Sequence, residues 1–220
     1  MATKLSTPAK VRVFLVDDHP IVRRGFQLLL GLERDLAVCG EADSSSQALE
    51  KMIQLKPDVA IIDLGLRESN GLDLIKQVRE HLPNLKILVF TMKNEQMYAE
   101  RALRAGANGY ITKEEGAEKA IEALRVLMQG KTYLGTQLAA AMVHRLAAGG
   151  RPGEATDLLS DRELEILEMI GTGLGTRQIA ERLKVSIKTI ESHREHIKTK
   201  LQLKKAAELV NYAYNWVNRT

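Results

Sequence analysis

The chain has 220 residues, 45% hydrophobic and 27% charged, the balance of a globular protein of one or two domains rather than a disordered or membrane-embedded one. Its net charge of +4 is unevenly placed, because Thr176–Lys205 holds nine Lys/Arg against three Glu and leaves the remainder slightly acidic. A basic segment of this kind suggests a polyanion partner, a solvated helix face being the plainer alternative.

The N-terminal MATKLSTPAK has no apolar core and does not read as a secretory signal. No apolar run reaches the roughly 18 residues of a membrane span. The lone cysteine, Cys39, has no internal disulfide partner and reads as a buried, inert thiol. A cytoplasmic protein without membrane contact is expected.

Five β-rich runs follow in order: Val11–Val16, Ala37–Glu41, Val59–Ile62, Ile87–Phe90 and Gly109–Ile111. Helical spacing fills the intervals at Ile21–Leu30, Ser46–Leu55, Gly71–His81, Glu95–Ala105 and Ala117–Gln129. This alternation implies an α/β domain, a five-stranded doubly wound parallel sheet with helices on both faces. Pro20 suits the first turn of a helix and Gly31 its end, while Pro57 and Pro83 precede strands. The Ala-rich segment Tyr133–Leu146 is expected to be helical, and AAGGRPGEATD after it reads as an exposed linker. The last 60 residues read as a small all-α unit, with helices near Asp161–Gly171, Thr176–Leu183, Ile187–Leu201 and Lys205–Val217. Ser160 and Glu163 form a capping-box pattern at its start.

Chemistry concentrates at the strand ends. The first strand ends in Asp17 and Asp18, the third in Asp63 and the fourth in Thr91, and Lys113 follows the fifth. In doubly wound sheets the carboxyl ends of the strands line the ligand crevice. Three carboxylates gathered there raise one another's pKa unless a cation compensates. Mg²⁺ suits such an oxygen set and leaves room for phosphate oxygens. A carboxylate beside it can attack phosphorus and carry an aspartyl phosphate, with Lys113 countering the phosphoryl charge and Thr91 donating a hydrogen bond to it. Taken singly, each Asp also fits a helix cap or turn, and Lys113 a surface loop. His19 reads as the helix entrance rather than a ligand.

The series VDDHP, IID, VFT and RALRAGANGYITK resembles a response-regulator receiver domain, over roughly Val11–Met128. The resemblance implies a flavodoxin-like fold, with Asp63 as phosphoacceptor and Asp17, Asp18, Asp63 and the Gly65 backbone carbonyl around Mg²⁺. It further implies Thr91 and Lys113 as the switch hydroxyl and the phosphate-pairing lysine, and Tyr110 as the aromatic that repacks on activation. A sensor histidine kinase or phosphotransfer protein would supply the phosphoryl group. The receiver would catalyse its own transfer and slow dephosphorylation without being an enzyme in the ordinary sense. Arg67 stands where the family usually has proline, which removes a stiffening residue from the loop. Gly71 falls on the family's glycine, and Gly65 and Lys93 occupy positions that tend to govern phosphoryl lifetime in the family.

In the tail, GTGLG follows a helix and lacks the Gly-Lys-Ser/Thr of a phosphate loop, so it reads as helix termination and turn. Leu164, Ile166, Leu167, Ile170, Ile179, Leu183, Val185, Ile190, Ile197 and Leu201 supply core stripes. Two short helices joined by LKVSI, the second bearing Lys188, Arg194, Lys198 and Lys200, point to double-stranded DNA, with a partner-binding bundle as the alternative. The segment Leu159–Ala213 closely resembles a LuxR-type helix-turn-helix domain. That resemblance places recognition on Ile187–Leu201, with Glu191, Ser192 and Glu195 facing bases. Lys188, Thr189, Arg194 and Lys198, with Thr176 and Arg177 from the preceding helix, would meet phosphate. The last helix matches the family's dimerising helix; Leu209, Val210 and Tyr214 could serve a homodimer or their own core. Together the halves resemble a NarL/FixJ-type response regulator, with a receiver at 10–130, a linker at 131–156 and a DNA-binding domain at 157–220. Two other readings stay open. One is a phosphatase of the haloacid-dehalogenase kind, which needs a second Asp where Gly65 stands. The other is a regulator or partner-binding module that works without phosphate.

Overall fold

A computed structural model describes residues 9–66, 70–135, 138–140, 143 and 155–218. The chain divides into two compact units, Met1–Ala139 and Ala140–Thr220. The helix expected over 133–146 and the linker after it lie largely outside the described residues, as does Arg67.

In the first unit the order is β1 (Val11–Val16), α1 (Pro20–Leu32), β2 (Leu36–Ala42), α2 (Ser45–Leu55), β3 (Val59–Ile62), α3 (Gly71–His81), β4 (Lys86–Thr91), α4 (Glu95–Ala105), β5 (Gly109–Thr112) and α5 (Ala117–Met128). The sheet order is β2-β1-β3-β4-β5, and every pairing is parallel. Strand order therefore reverses between β1 and β3, and the crevice at that switch point is where Asp17 and Asp63 emerge.

The period-two pattern of the strands sorts the core into two layers. Val13, Leu15, Val59, Ile61, Leu88, Phe90 and Ile111 pack with Phe26 and Leu30 of α1 and with Ile121, Leu124 and Leu127 of α5. Phe26 and Phe90 meet edge to face, with ring centroids 5.0 Å apart. The alternate residues, Phe14, Val16, Ile62, Val89 and Tyr110, are equally buried. They face the layer of α2, α3 and α4, which contact one another in series. After α5 the chain returns to the sheet edge, where Tyr133 bridges Gly109 in parallel.

Two expectations need correcting. Gly31 does not end α1, which runs on to Leu32 and stops where Glu33 turns extended. Gly31 is not in the left-handed region that makes glycine a helix terminator. Gly106 does that work for α4, at φ 116°. Cys39 is half-buried rather than buried. It sits on the edge strand β2, which pairs with β1 alone, and burial still pushes its thiol pKa up.

The second unit contains α6 (Asp161–Gly171), α7 (Thr176–Arg182), α8 (Ile187–Lys200) and α9 (Ala206–Val217). The capping box is present: Ser160 accepts from the Glu163 N–H, and Glu163 accepts from the Ser160 N–H. Leu164, Ile166, Leu167, Ile170, Ile179, Ile190, Ile197 and Leu201 are buried as expected, with Leu209, Ala213 and Trp216 of α9. Leu183 and Val185 are half-buried. GTGLG is a turn, with Gly173 at φ 88°. Gly171 permits the approach of α9, since a Cβ there would strike the Ala213 carbonyl.

Candidate functional site

Three strand ends and one turn build the crevice of the first unit. Asp17, Asp63 and Thr91 are buried polar residues at the ends of β1, β3 and β4, and the Asp18 side chain is only 6% exposed. Lys113 opens a single 3₁₀ turn after β5. That turn aims its ammonium back into the crevice, 2.6 Å from Asp17 Oδ2 and 2.6 Å from Asp63 Oδ2. The other Asp63 oxygen, Oδ1, accepts from the Thr91 hydroxyl at 2.6 Å and from the Gly65 N–H at 2.9 Å. Burial draws the Lys113 pKa down, but the Asp63 charge and the hydrogen bonds to Asp17 and Asp63 outweigh it, so the pKa stands above the ordinary lysine value.

Asp17, Asp18, His19 and Asp63 each offer one ligand atom, all within 4.8 Å of one another. Two of the carboxylates share a single ammonium, and the donors are oxygens apart from the imidazole. That chemistry fits a hard divalent ion of the Mg²⁺ type. His19 is the N-cap residue of α1, as expected. Its ring nonetheless turns into the cluster, with Nδ1 3.0 Å from Asp17 Oδ1 and 2.8 Å from Asp18 Oδ1. Sequence reading missed this, and it missed Arg23, whose guanidinium donates to the Asp17 carbonyl at 2.5 Å. An i+6 partner across a strand-to-helix corner has no signature in the sequence.

Gly71, the first residue of α3, lies against the acceptor loop. A Cβ there would come within 2.7 Å of the Asp63 carbonyl and 2.5 Å of the Leu64 Cα. Only glycine lets the loop after β3 fold back this tightly. By contrast, a Cβ at Gly65 would meet Asp63 at an ordinary 3.4 Å. Behind the site, Tyr110 is fully buried, and its hydroxyl donates to the Lys93 carbonyl at 2.9 Å. The Lys93 N–H in turn reaches Thr91 Oγ1 at 3.3 Å. Asp63, Thr91, Lys93 and Tyr110 are thus one connected chain of hydrogen bonds.

In the second unit, α7, the turn and α8 make a helix-turn-helix. Lys184 takes a left-handed conformation in the turn, at φ 51°. Ser186 then caps α8 by accepting from the Thr189 N–H at 3.0 Å. Lys188, Thr189, Glu191, Ser192 and Glu195 are exposed, while Arg194 and Lys198 are half-buried. Lys198 is paired with Glu195 at 2.9 Å. Arg177 is exposed at the start of α7, where its Nε lies 3.2 Å from Glu181, and Thr176 is half-buried. Leu209 is in the core, but Val210 and Tyr214 are 43% and 60% exposed. Among the described residues no helix is long and apolar enough to cross a membrane.

Both units match known protein families. Residues 13–125 match the response regulator receiver domain family, and residues 157–213 match the bacterial regulatory proteins of the luxR family. The chain is 38% identical over 210 residues to the oxygen regulatory protein NreC of Staphylococcus epidermidis, covering 92% of this chain and 96% of that protein. The Staphylococcus aureus NreC is likewise 38% identical, over 209 residues, with the same shares covered. Among solved structures, RcsB from Salmonella enterica serovar Typhimurium bound to promoter P1flhDC with the phosphomimetic BeF₃⁻ aligns with a TM-score of 0.65 and 29% identity. That alignment covers 93% of this chain and 98% of RcsB. RcsB bound to promoter rprA aligns with a TM-score of 0.63 and 30% identity, over 94% and 99% of the two chains.

Proposed function

The chain belongs to the response regulators, joining a receiver domain to a LuxR-type DNA-binding domain, and on that premise we propose a two-component transcription factor switched by phosphorylation of Asp63. The observation that carries the proposal is the convergence of Lys113, Thr91 and the Gly65 N–H on the two Asp63 oxygens. We assign the receiver to 10–130, the linker to 131–156 and the DNA-binding domain to 157–220, in a cytoplasmic protein that acts as a homodimer.

Asp63 attacks the phosphorus of a phosphohistidine on a sensor kinase or phosphotransfer protein. An oxygen–phosphorus bond forms, the nitrogen–phosphorus bond breaks, and the imidazole leaves with its electron pair. Asp17, Asp18, Asp63 and the Gly65 carbonyl would hold Mg²⁺, which when bound neutralises charge on the phosphoryl oxygens. Lys113 supplies the protein's own positive charge to the same oxygens. The Thr91 hydroxyl gives up Asp63 Oδ1 for a phosphoryl oxygen, and through Lys93 the change reaches Tyr110. The result is a shift of population toward the active arrangement, with slow self-dephosphorylation resetting it. Glu191, Ser192 and Glu195 then face bases, while Thr176, Arg177, Lys188, Thr189, Arg194 and Lys198 meet phosphate. Exposed Val210 and Tyr214 offer apolar surface to a second copy.

The test is the mass of the intact chain after incubation with a small phosphodonor and Mg²⁺. One added phosphoryl group is expected in the wild type and none in Asp63→Asn, with DNA binding tightening only in the wild type. A wild type that gains no phosphoryl mass, or whose DNA binding ignores the gain, would favour the phosphate-independent reading. For the output domain, Lys188→Ala is expected to weaken binding to all DNA sequences alike. It should also flatten the dependence of log affinity on log salt by about 0.9 per protomer. Anisotropy titrations at several salt concentrations measure this, and an unchanged slope would remove Lys188 from the phosphate contacts.

A further inference from the structure

The second unit carries another cluster of metal-ligating side chains, where α8 packs against α6. Glu163, in the first turn of α6, and His193 and His196, an i,i+3 pair on α8, each present a ligand atom within 4.8 Å of the others. The Glu163 side chain is only 5% exposed, yet its two oxygens are used unequally. Oε2 accepts from the Ser160 N–H at 2.7 Å and from Lys200 at 2.6 Å. Oε1 faces His196 Nδ1 at 4.0 Å.

We propose that Glu163, His193 and His196 form a binding site for a divalent transition-metal ion of the zinc type, which fastens α8 to α6. Two imidazoles and one carboxylate are a donor set that zinc accepts, with water completing the tetrahedron. Ligand atoms around a tetrahedral zinc stand about 3.4 Å apart at bond lengths of about 2.1 Å. The pair at 4.0 Å therefore closes by roughly half an ångström, a movement open to His196, whose side chain is 64% exposed. The surrounding charges permit the ion. Lys200 occupies Oε2 and leaves Oε1 facing the histidines, and Arg162 is held by Glu165 at 2.8 Å. Burial, helped by the Arg162 charge, lowers the His193 pKa. The Lys200–Glu163 pair and the capping box already fix the carboxylate, so little order is lost when the ion enters.

The test uses the untagged full-length chain in excess Mg²⁺, titrated with Zn²⁺ against a chromophoric chelator. One Zn²⁺ equivalent is expected at this site, weakened about 100-fold or more by His196→Ala, at least the cost of disturbing an outer-shell partner. His81→Ala, on α3 of the receiver, should leave binding unchanged. Because His196 is exposed, its variant should fold, and melting without metal checks that it does. With Co²⁺, the wild type should show visible absorption of a four-coordinate site that His196→Ala lacks. The proposal is overturned if the wild type takes up no Zn²⁺ at 100-micromolar levels, about the weakest useful affinity. It is equally overturned if His196→Ala binds Zn²⁺ with unchanged stoichiometry and affinity. Neither result bears on phosphorylation of Asp63.

Discussion

Lys113→Met is expected to destabilise the receiver by about 3–5 kcal/mol when no divalent ion is present, the usual cost of removing one partner from a buried ion pair. The lysine nitrogen lies 2.6 Å from both Asp17 and Asp63, and those two residues are 5% and 4% exposed. Without the ammonium, two buried carboxylates repel in a site that water reaches poorly. Mg²⁺ should narrow the deficit, because the carboxylates freed of the ammonium bind the ion more tightly in the variant than in the wild type and so gain more from it by mass action. The double variant Lys113→Met/Asp63→Asn should be more stable than Lys113→Met alone, because one of the repelling charges is gone. The pKa of Lys113 is raised above its ordinary 10.5. Its stabilising contribution is therefore complete below 10.5 and is lost only as pH rises through the raised value. Urea unfolding at pH 7 and at pH 9 should thus show the same deficit. A deficit under 1 kcal/mol, or one that Mg²⁺ leaves unchanged, would mean that Lys113 does not neutralise the acidic cluster.

The second large effect lies away from the chemistry. Arg79, on the last turn of α3, donates to the carbonyls of Pro83, Leu85 and Gly106 and to Asn108 Oδ1. Asn108 Oδ1 also accepts from the Ile87 N–H. One guanidinium therefore ties the end of α3, the loop into β4 and the loop between α4 and β5. Gly106 makes room for it, since a Cβ there would stand 2.9 Å from Arg79 Nε. Arg79→Met should cost about 3 kcal/mol, because hydrogen bonds from a charged donor contribute about 1.5–3 kcal/mol each and the freed carbonyls regain water only in part. Arg79→Lys should recover little, since a single ammonium cannot span the fork of acceptors. The urea midpoint measures the change, and at temperatures where the variant stays folded phosphoryl uptake should persist. A change within 0.5 kcal/mol would place the cohesion of these loops elsewhere.

Both effects bear on what a linear reading can reach. The acidic rim was legible because each strand is a short apolar run whose first polar residue must lie at its carboxyl end. Asp17, Asp63 and Thr91 follow from that logic alone, and Lys113 stands one residue past Thr112, in the turn after β5. The helices α3 and α4 match their expected limits because Asn70 and Asn94 cap them. The cap of α6, Ser160 with Glu163, is equally local. The end of α1 was misplaced because a glycine signals termination only when the chain uses its left-handed conformation, and at Gly31 it does not. Cys39 looked buried because its neighbours are apolar. Whether β2 lies at the edge or the centre of the sheet is not written in β2.

Local order, then, came from the sequence by itself: strand and helix alternation, caps, turns, the basic segment, and the kinds of group that stand at each strand end. These depend on interactions between residues a few positions apart. Only the tertiary structure decided who meets whom. It turned His19 into the acidic cluster, ran Arg79 between two loops, and carried Lys200 across to Glu163, 37 positions away. Such contacts arise when the sheet and the helical unit close on themselves. Burial then removes water, and each charged group must find its partner among residues that no spacing rule connects.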